Sequence, residues 1–175
     1  MSRNPHSLRI RQLQPEDRAR LAAAFDRLSP HSRHLRFMAY KPRLSSEELT
    51  YFTDLDHRTH EALGAFDPQT GDLIGIARYV TYQGSGTTAD LAVTVADEWQ
   101  GVGLGTMLAR RLACRAADNE IEHLHATTLV ENLRARALLR RLGFRAFGRD
   151  VDVLKLGLDI EPCGSAAEAV DLPPR

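Results

Sequence analysis

Residues Ala89 to Thr106, ADLAVTVADEWQGVGLGT, constrain the fold of this chain more than any other stretch. An alternating apolar segment runs into a glycine-rich turn and straight into a helical pattern. Glycine lets the backbone approach a bound group closely, and the first amides of a helix have no acceptor inside it, so a strand–turn–helix junction of this kind can hold an anion, the alternative being a glycine turn that caps an ordinary helix. Spacing excludes two familiar ligands. A dinucleotide fingerprint separates its second and third glycines by two residues, whereas Gly101, Gly103 and Gly105 alternate and Thr106 stands where the third glycine would be. A mononucleotide loop ends in Gly-Lys-Ser/Thr, and no lysine is present here.

The flanking chain supplies the elements around that junction. Leu8, Ile10 and Leu13 alternate in a first strand over Ser7 to Leu13, and Pro15, Glu16 and Asp17 open a helix whose stripe is Leu21, Ala24, Phe25 and Leu28. Ser29 and Pro30 start a second helix through Phe37, and Ser45, Ser46 and Glu48 start a third with Leu49, Phe52 and Leu55 on its apolar face. Ala62 to Phe66 and Leu73 to Val80 form a hairpin around Asp67 to Gly71, and after the turn Gly84 to Gly86 the strand Thr87 to Ala96 continues the antiparallel sheet. Beyond the glycine turn, Leu104, Met107, Leu108, Leu112 and Ala116 predict an amphipathic helix. A strand over Ile121 to Val130 follows, with Leu124, Ala126, Thr128 and Val130 on one side and His123, His125 and Thr127 on the other. A helix over Leu133 to Leu142 stops at Gly143, and Asp150 to Leu158, DVDVLKLGL, alternates as the last strand. Glu161 to Arg175, with three prolines and no apolar period, is expected to be a mobile tail.

Composition narrows the class. With 175 residues, 43% hydrophobic and 26% charged, the chain is expected to fold as one domain with a core of its own. Lys+Arg 23 against Asp+Glu 23 gives no excess of positive charge for a duplex nucleic acid. Cys114 and Cys163 match no metal or CxxC pattern, which reads as a reducing compartment. The first residues lack the apolar core of a signal peptide and no apolar run approaches the ~20 residues of a membrane span, so a cytoplasmic location is expected. His57, Arg58, His60 and Glu61 cluster before a strand but have no metal-site spacing, and the expectation is a solvated cluster without metal.

Gln100-Gly101-Val102-Gly103-Leu104-Gly105 resembles the acyl-coenzyme A loop of the GNAT superfamily of N-acetyltransferases. Asn132-Leu133-Arg134-Ala135, followed by Leu142-Gly143-Phe144, resembles that superfamily's later motif. The segment from Leu28 to Tyr82, with LSPHSRHLRF, LSSEELTYFTDLD and LIGIARYV, is similar to the catalytic domain of bacterial protein lysine acetyltransferases. The resemblance implies an α/β (α+β) fold: a mixed, mostly antiparallel sheet of six to seven strands with helices on both faces, forming one acetyltransferase domain over residues 1–160.

It also implies the site. Two central strands splay apart and admit the acyl-pantetheine arm of acetyl-CoA, which pairs with the backbone around Val93, Thr94 and Val95. Gln100, Gly101, Val102, Gly103, Leu104, Gly105 and Thr106 hold the diphosphate, and Asn132 and Ala135 contact the arm from the far side. Arg33, His34, Arg36 and Phe37 of the second helix, with Arg78, Tyr79, Tyr82 and the segment around His57 to Glu61, are expected to shape the groove for the amine acceptor, a protein lysine or a small amine. Arg110 or Arg111 could reach the coenzyme's 3'-phosphate. A homodimer is compatible with the resemblance. Asp90 stands where many relatives carry a glutamate base, and it reads either as that base acting through water or as a residue that ends a turn. Leu139 replaces the tyrosine that protonates the leaving thiolate in many relatives, which leaves Tyr79, Tyr82 or water for that task. The alternative to a transferase is an acyl-CoA-binding sensor with weak chemistry.

Overall fold

The computed structural model describes residues 8–163. Seven strands form one sheet in the order β1-β2-β3-β4-β5-β7-β6. Its first half is an antiparallel meander of β1 (Arg9–Gln12), β2 (His60–Phe66), β3 (Leu73–Thr81) and β4 (Thr88–Val95). The second half holds β5 (His123–Leu129), parallel to β4, and β7 (Val153–Asp159), which lies antiparallel between β5 and the edge strand β6 (Arg145–Asp150). The mixed, mostly antiparallel sheet implied by the resemblance is therefore present.

Alternation along β4 divides the molecule into two faces. Ala89, Leu91, Val93 and Val95 join the larger core beneath α4 (Leu104–Asp118) and α5 (Leu133–Arg141), whereas Ala92 and Thr94 face α1 (Arg18–Arg27), α2 (Pro30–Phe37) and α3 (Ser46–Thr53). Leu104, Leu108 and Leu112 of α4 are fully buried in the larger core, each contributing roughly 1.5–3 kcal/mol relative to exposure. A smaller core of Leu13, Leu21, Ala62, Phe66 and Leu73 lies on the other face.

The helix ends follow their sequence signals. The Ser29 hydroxyl accepts from the Ser32 amide at 3.1 Å with Pro30 in the first turn, and Ser45 and Glu48 form a reciprocal capping box. α4 starts differently, at Gly103 with φ +91° and no capping side chain.

Three expectations are corrected. Asp150 to Leu158 is not one strand: Asp150 ends β6, Val151 adopts φ +32° in a turn, and β7 begins at Val153. The turn has neither glycine nor proline to announce it. The cluster of His57, Arg58, His60 and Glu61 is solvated only in part: Arg58 is exposed, but His60 and Glu61 open β2 and are buried, Glu61 at 0% exposed. Cys114 in α4 is disulfide-bonded to Cys163, so cysteine usage lends no support to a reducing compartment. That bond also ties down the first residues of the expected tail, whose remainder lies outside the described residues. Among the described residues, no helix is long and apolar enough to cross a membrane, and no group of His, Cys, Asp and Glu is placed to hold a metal.

Candidate active site

β4 and β5 pair only at Thr88↔His123, Ala89↔Leu124 and Asp90↔His125. Beyond Asp90 the strands part, and Leu91 to Val95 pair with β3 alone. The edge of β4 that turns away from β3 over this span is thus available to an extended ligand. Val93 and Val95 send their side chains into the α4 core, so only their backbone could meet such a ligand, while Thr94 lines a cavity on the α1–α3 face.

At the mouth of this split the chain turns through Gly101 (φ +81°) and Gly103 (φ +91°) into α4. Both glycines adopt the left-handed region that side chains disfavour, and a Cβ on either would meet nothing within 4 Å, so the space over the loop is open. Among the described residues, the amides from Gly101 to Thr106 have no hydrogen-bond acceptor. The first satisfied amide is that of Met107, which donates to Gly103 O at 3.0 Å. Such a row of free donors at a 15-residue helix start suits a diphosphate.

Within the loop the residues divide by task. Leu104 is buried core and Val102 packs against the core, so their amides alone are free for a ligand. Gly105 is small for packing, because a Cβ there would come within 2.8 Å of Leu138 Cδ1 in α5. The Gln100 side chain braces the loop: its Nε2 donates to Val95 O at 3.1 Å and Asp97 Oδ1 at 2.9 Å, and its Oε1 accepts from Arg134. Asp97 in turn accepts from the Ser29 amide at 2.8 Å and from the Ser32 hydroxyl. The brace links β4, α2, the glycine loop and α5. Across the split, Asn132 caps α5 by accepting from the Ala135 amide at 3.0 Å.

Asp90 lies at the last β4–β5 pair, where the strands begin to part. Burial pushes its carboxyl above the usual carboxylate range, against the opposing pull of Arg36, Arg78, His125 and a hydrogen bond from the Tyr82 hydroxyl. Burial and the Asp90 charge push the Tyr82 phenol up. Arg36 is lowered to about 10 by burial and by the neighbouring Arg78 charge, which leaves it cationic at neutral pH. A half-buried carboxylate with a raised pKa, beside a tyrosine and at a break in a sheet, has the chemistry of a proton acceptor.

The expected acceptor residues do not all meet there. Arg36 and Phe37 line a cavity of about 70 Å³ on the α1–α3 face. Tyr82 reaches Asp90. Arg33 does not face the groove: its guanidinium donates to the carbonyls of Leu28 (3.1 Å), Asp26 (2.8 Å) and Pro42, closing the ends of α1 and α2. Tyr79 is 0% exposed on the α4 face, with its hydroxyl donating to Arg58 O at 2.9 Å and accepting from Asn119 at 2.6 Å. Glu61, opposite Tyr79 in register, shares that face, whereas its neighbour His60 points to the other side, near Arg78. Leu139 is buried in the larger core, away from any task of proton donation.

Of the neighbours Arg78 and Tyr79, Arg78 takes the groove position, and His125, given no task from the sequence, stands opposite Asp90. The alternation of β5 already separates His125 from the core-facing Leu124 and Ala126. Its partner becomes visible only through the parallel register.

Comparison with known proteins agrees with this geometry. Over 119 residues, 67% of this chain, the sequence is 35% identical to Acetyltransferase PA5475 of Pseudomonas aeruginosa, of whose length it spans 63%. The fold is similar to the GNAT domain of S. lividans PAT, with a TM-score of 0.82 and 25% identity over 87% of this chain and 90% of that one. It also resembles yncA of Salmonella typhimurium, a structure containing its cofactor acetyl-CoA, with a TM-score of 0.71 and 20% identity over 91% of this chain and 97% of that one. A family model for the acetyltransferase (GNAT) family matches residues 30–144, which contain α2, the split, the glycine loop and α5, and the chain belongs to that family.

Proposed function

We propose that this chain is an N-acetyltransferase that moves an acetyl group from acetyl-CoA directly to a primary amine bound beside it. The observation that carries the reading is the parting of β4 from β5 after Asp90, next to a loop whose amides from Gly101 to Thr106 are free. The loop holds the diphosphate, the open edge of β4 receives the pantetheine arm as a short extra strand, and the thioester comes to lie near Asp90.

The acceptor amine, with an ordinary pKa of ~10.4, arrives mostly protonated at neutral pH. Asp90 takes that proton through a water, and the neutral nitrogen attacks the thioester carbonyl carbon. A backbone amide of β4 near Val93 is the expected donor to the oxyanion. As the tetrahedral adduct collapses, the C–S bond breaks and the nitrogen gives up its second surplus proton, which reaches the departing thiolate through Tyr82 or water. A thiol of pKa ~8.5 leaves without strong acid assistance, so a leucine at position 139 slows this step rather than blocking it.

Purified protein mixed with acetyl-CoA and a panel of amines, with release of free thiol followed over time, tests the reading. Amine-dependent release is expected. Tight coenzyme binding in a calorimeter with no release for any amine would establish the sensor alternative instead. No binding of the coenzyme would sink both.

A further inference from the structure

Arg36 of α2 and Arg78 of β3 both line the cavity on the α1–α3 face. Neither is in an ion pair with a carboxylate among the described residues, unlike Arg11, Arg20, Arg27 and Arg115. Arg78 lies over the Phe52 ring at 4.5 Å and the Tyr51 ring at 5.3 Å, is hydrogen-bonded to Tyr51, and keeps a buried Nη1 with no partner. Arg36 lies over the Phe37 ring at 5.0 Å. Burial lowers both guanidinium pKa values, and the Arg78 charge lowers that of Arg36 further.

A buried donor without an acceptor costs stability unless a ligand supplies one, and two half-buried like charges side by side add to that cost. Asp90 is the acidic group whose charge both arginines feel, so two cations face one anion and one positive charge remains uncompensated. The rest of the lining is apolar, with Phe25, Phe37, Leu44, Phe52 and Ile76. The cavity, of about 70 Å³, is thus a pocket with two cations set in an otherwise apolar wall.

Building on the transferase reading, we propose that the acceptor is a small amine that also carries a carboxylate, as an apolar amino acid does, and that Arg36 and Arg78 receive the carboxylate while the amine stays near Asp90. Two guanidiniums recognise such a group by charge-assisted hydrogen bonds. They also disfavour the ammonium form of the amine, which favours the neutral nucleophile. A neutral lysine side chain on a protein surface supplies no such anion.

The test separates the subsite from the chemistry. In the first arm, 4-methylpentanoate and 4-methylpentanamide are titrated calorimetrically into the full chain with coenzyme A present. The acid is expected to bind at least tenfold tighter, and Arg78→Met or Arg36→Met to erase the difference while coenzyme binding confirms that each variant folds. In the second arm, thiol release from acetyl-CoA is measured with leucine, methionine and phenylalanine, with their amides, and with an uncharged lysine peptide. The free amino acids are expected to show at least tenfold higher kcat/KM than their amides. Equal binding of acid and amide, or turnover of the amides or the peptide as fast as the acids, overturns the anion subsite and leaves the transferase standing. Selective acid binding with no turnover for any amine leaves the subsite standing and overturns the transferase.

Discussion

Two carboxylates sit on opposite faces of the same sheet, Glu61 on β2 and Asp90 on β4. Glu61 is 0% exposed and its oxygens accept from Gln12 Nε2 (2.8 Å), His57 Nδ1 (2.8 Å), Arg115 Nη2 (3.2 Å) and its neighbour's amide, that of Ala62 (2.9 Å). With its lone pairs taken by four donors, it has no room for an incoming proton and works as a tie between β1, β2 and α4. Asp90 is half-buried, bonded to Tyr82, and influenced by Arg36, Arg78 and His125 without an ion pair to any of them. The difference separates structure from chemistry: a carboxylate with all its acceptors occupied holds the fold, and one with spare acceptors and a raised pKa can take a proton and return it.

The largest effect expected from this contrast is on catalysis. Asp90→Asn should lower kcat/KM by about 100-fold or more, the usual worth of a general base. Coenzyme binding should be retained, because the loop amides are untouched. Since burial raises the Asp90 pKa, the wild-type rate should fall with decreasing pH at a limb above the ordinary carboxylate range, and the variant should lack that limb. A variant with the same pH profile and rate as the wild type would remove Asp90 from the mechanism.

Glu61→Gln should give the opposite pattern. It leaves Arg115 and His57 facing a neutral amide, and breaking a buried ion pair costs ~3–5 kcal/mol. Arg115 is 41% exposed and solvent screens it, so the low end, about 3 kcal/mol, is expected in denaturant unfolding. At temperatures where the variant is folded, kcat/KM should stay within about twofold of wild type. Loss of rate without loss of stability would reverse the roles assigned to the two carboxylates.

His60 sharpens the contrast from the Asp90 side, since it lies near Arg78 with a buried, unpartnered Nε2. Burial first and the Arg78 charge second lower it from 6.5 to about 4, so between those values the unfolded chain binds a proton that the folded chain does not. Stability therefore rises with pH across that window: the contribution is whole above 6.5 and is lost as pH falls towards 4. The shift sets an upper bound of ~3 kcal/mol, and we expect about 2 kcal/mol of acid-side loss, absent in His60→Phe. An unchanged slope in that variant would mean that other groups carry the acid sensitivity.

What the sequence disclosed and what it hid follow the range of the interactions. The strand–loop–helix junction was readable because its causes are local: alternation along β4, glycines at positive φ, and helix-start amides. The choice between Arg78 and Tyr79 was not. The run Leu73 to Thr81 is covered on both faces, so its apolar pattern does not show which parity meets the groove, and only the register of β3 against β4 decides it. The same range limit hid the burial of Glu61, whose donors Gln12 and Arg115 lie 49 and 54 residues away, and the pairing of Cys114 with Cys163 at a separation of 49. Arg33 looked like a groove residue because helical spacing puts it beside Arg36, but the carbonyls at the ends of α1 and α2 claim its guanidinium.

The smallest effect is expected at Tyr82, and it measures how free Asp90 is. The hydroxyl donates to the charged carboxylate and so opposes the rise that burial causes in the Asp90 pKa. Tyr82→Phe removes that donor, and the acid limb of the rate profile should move to higher pH. At the plateau, where Asp90 is ionised in both proteins, the rate should fall by only about threefold, the loss of one supporting hydrogen bond on the ~0.5–1.5 kcal/mol scale. Glu61 offers the control, because deleting one of its four donors with Gln12→Leu should leave the rate profile where it is and register in stability alone. A plateau loss near 100-fold in Tyr82→Phe, with the acid limb unmoved, would instead make the phenol the proton donor to the leaving thiolate, and Asp90 would then owe its position to Tyr82 rather than its pKa.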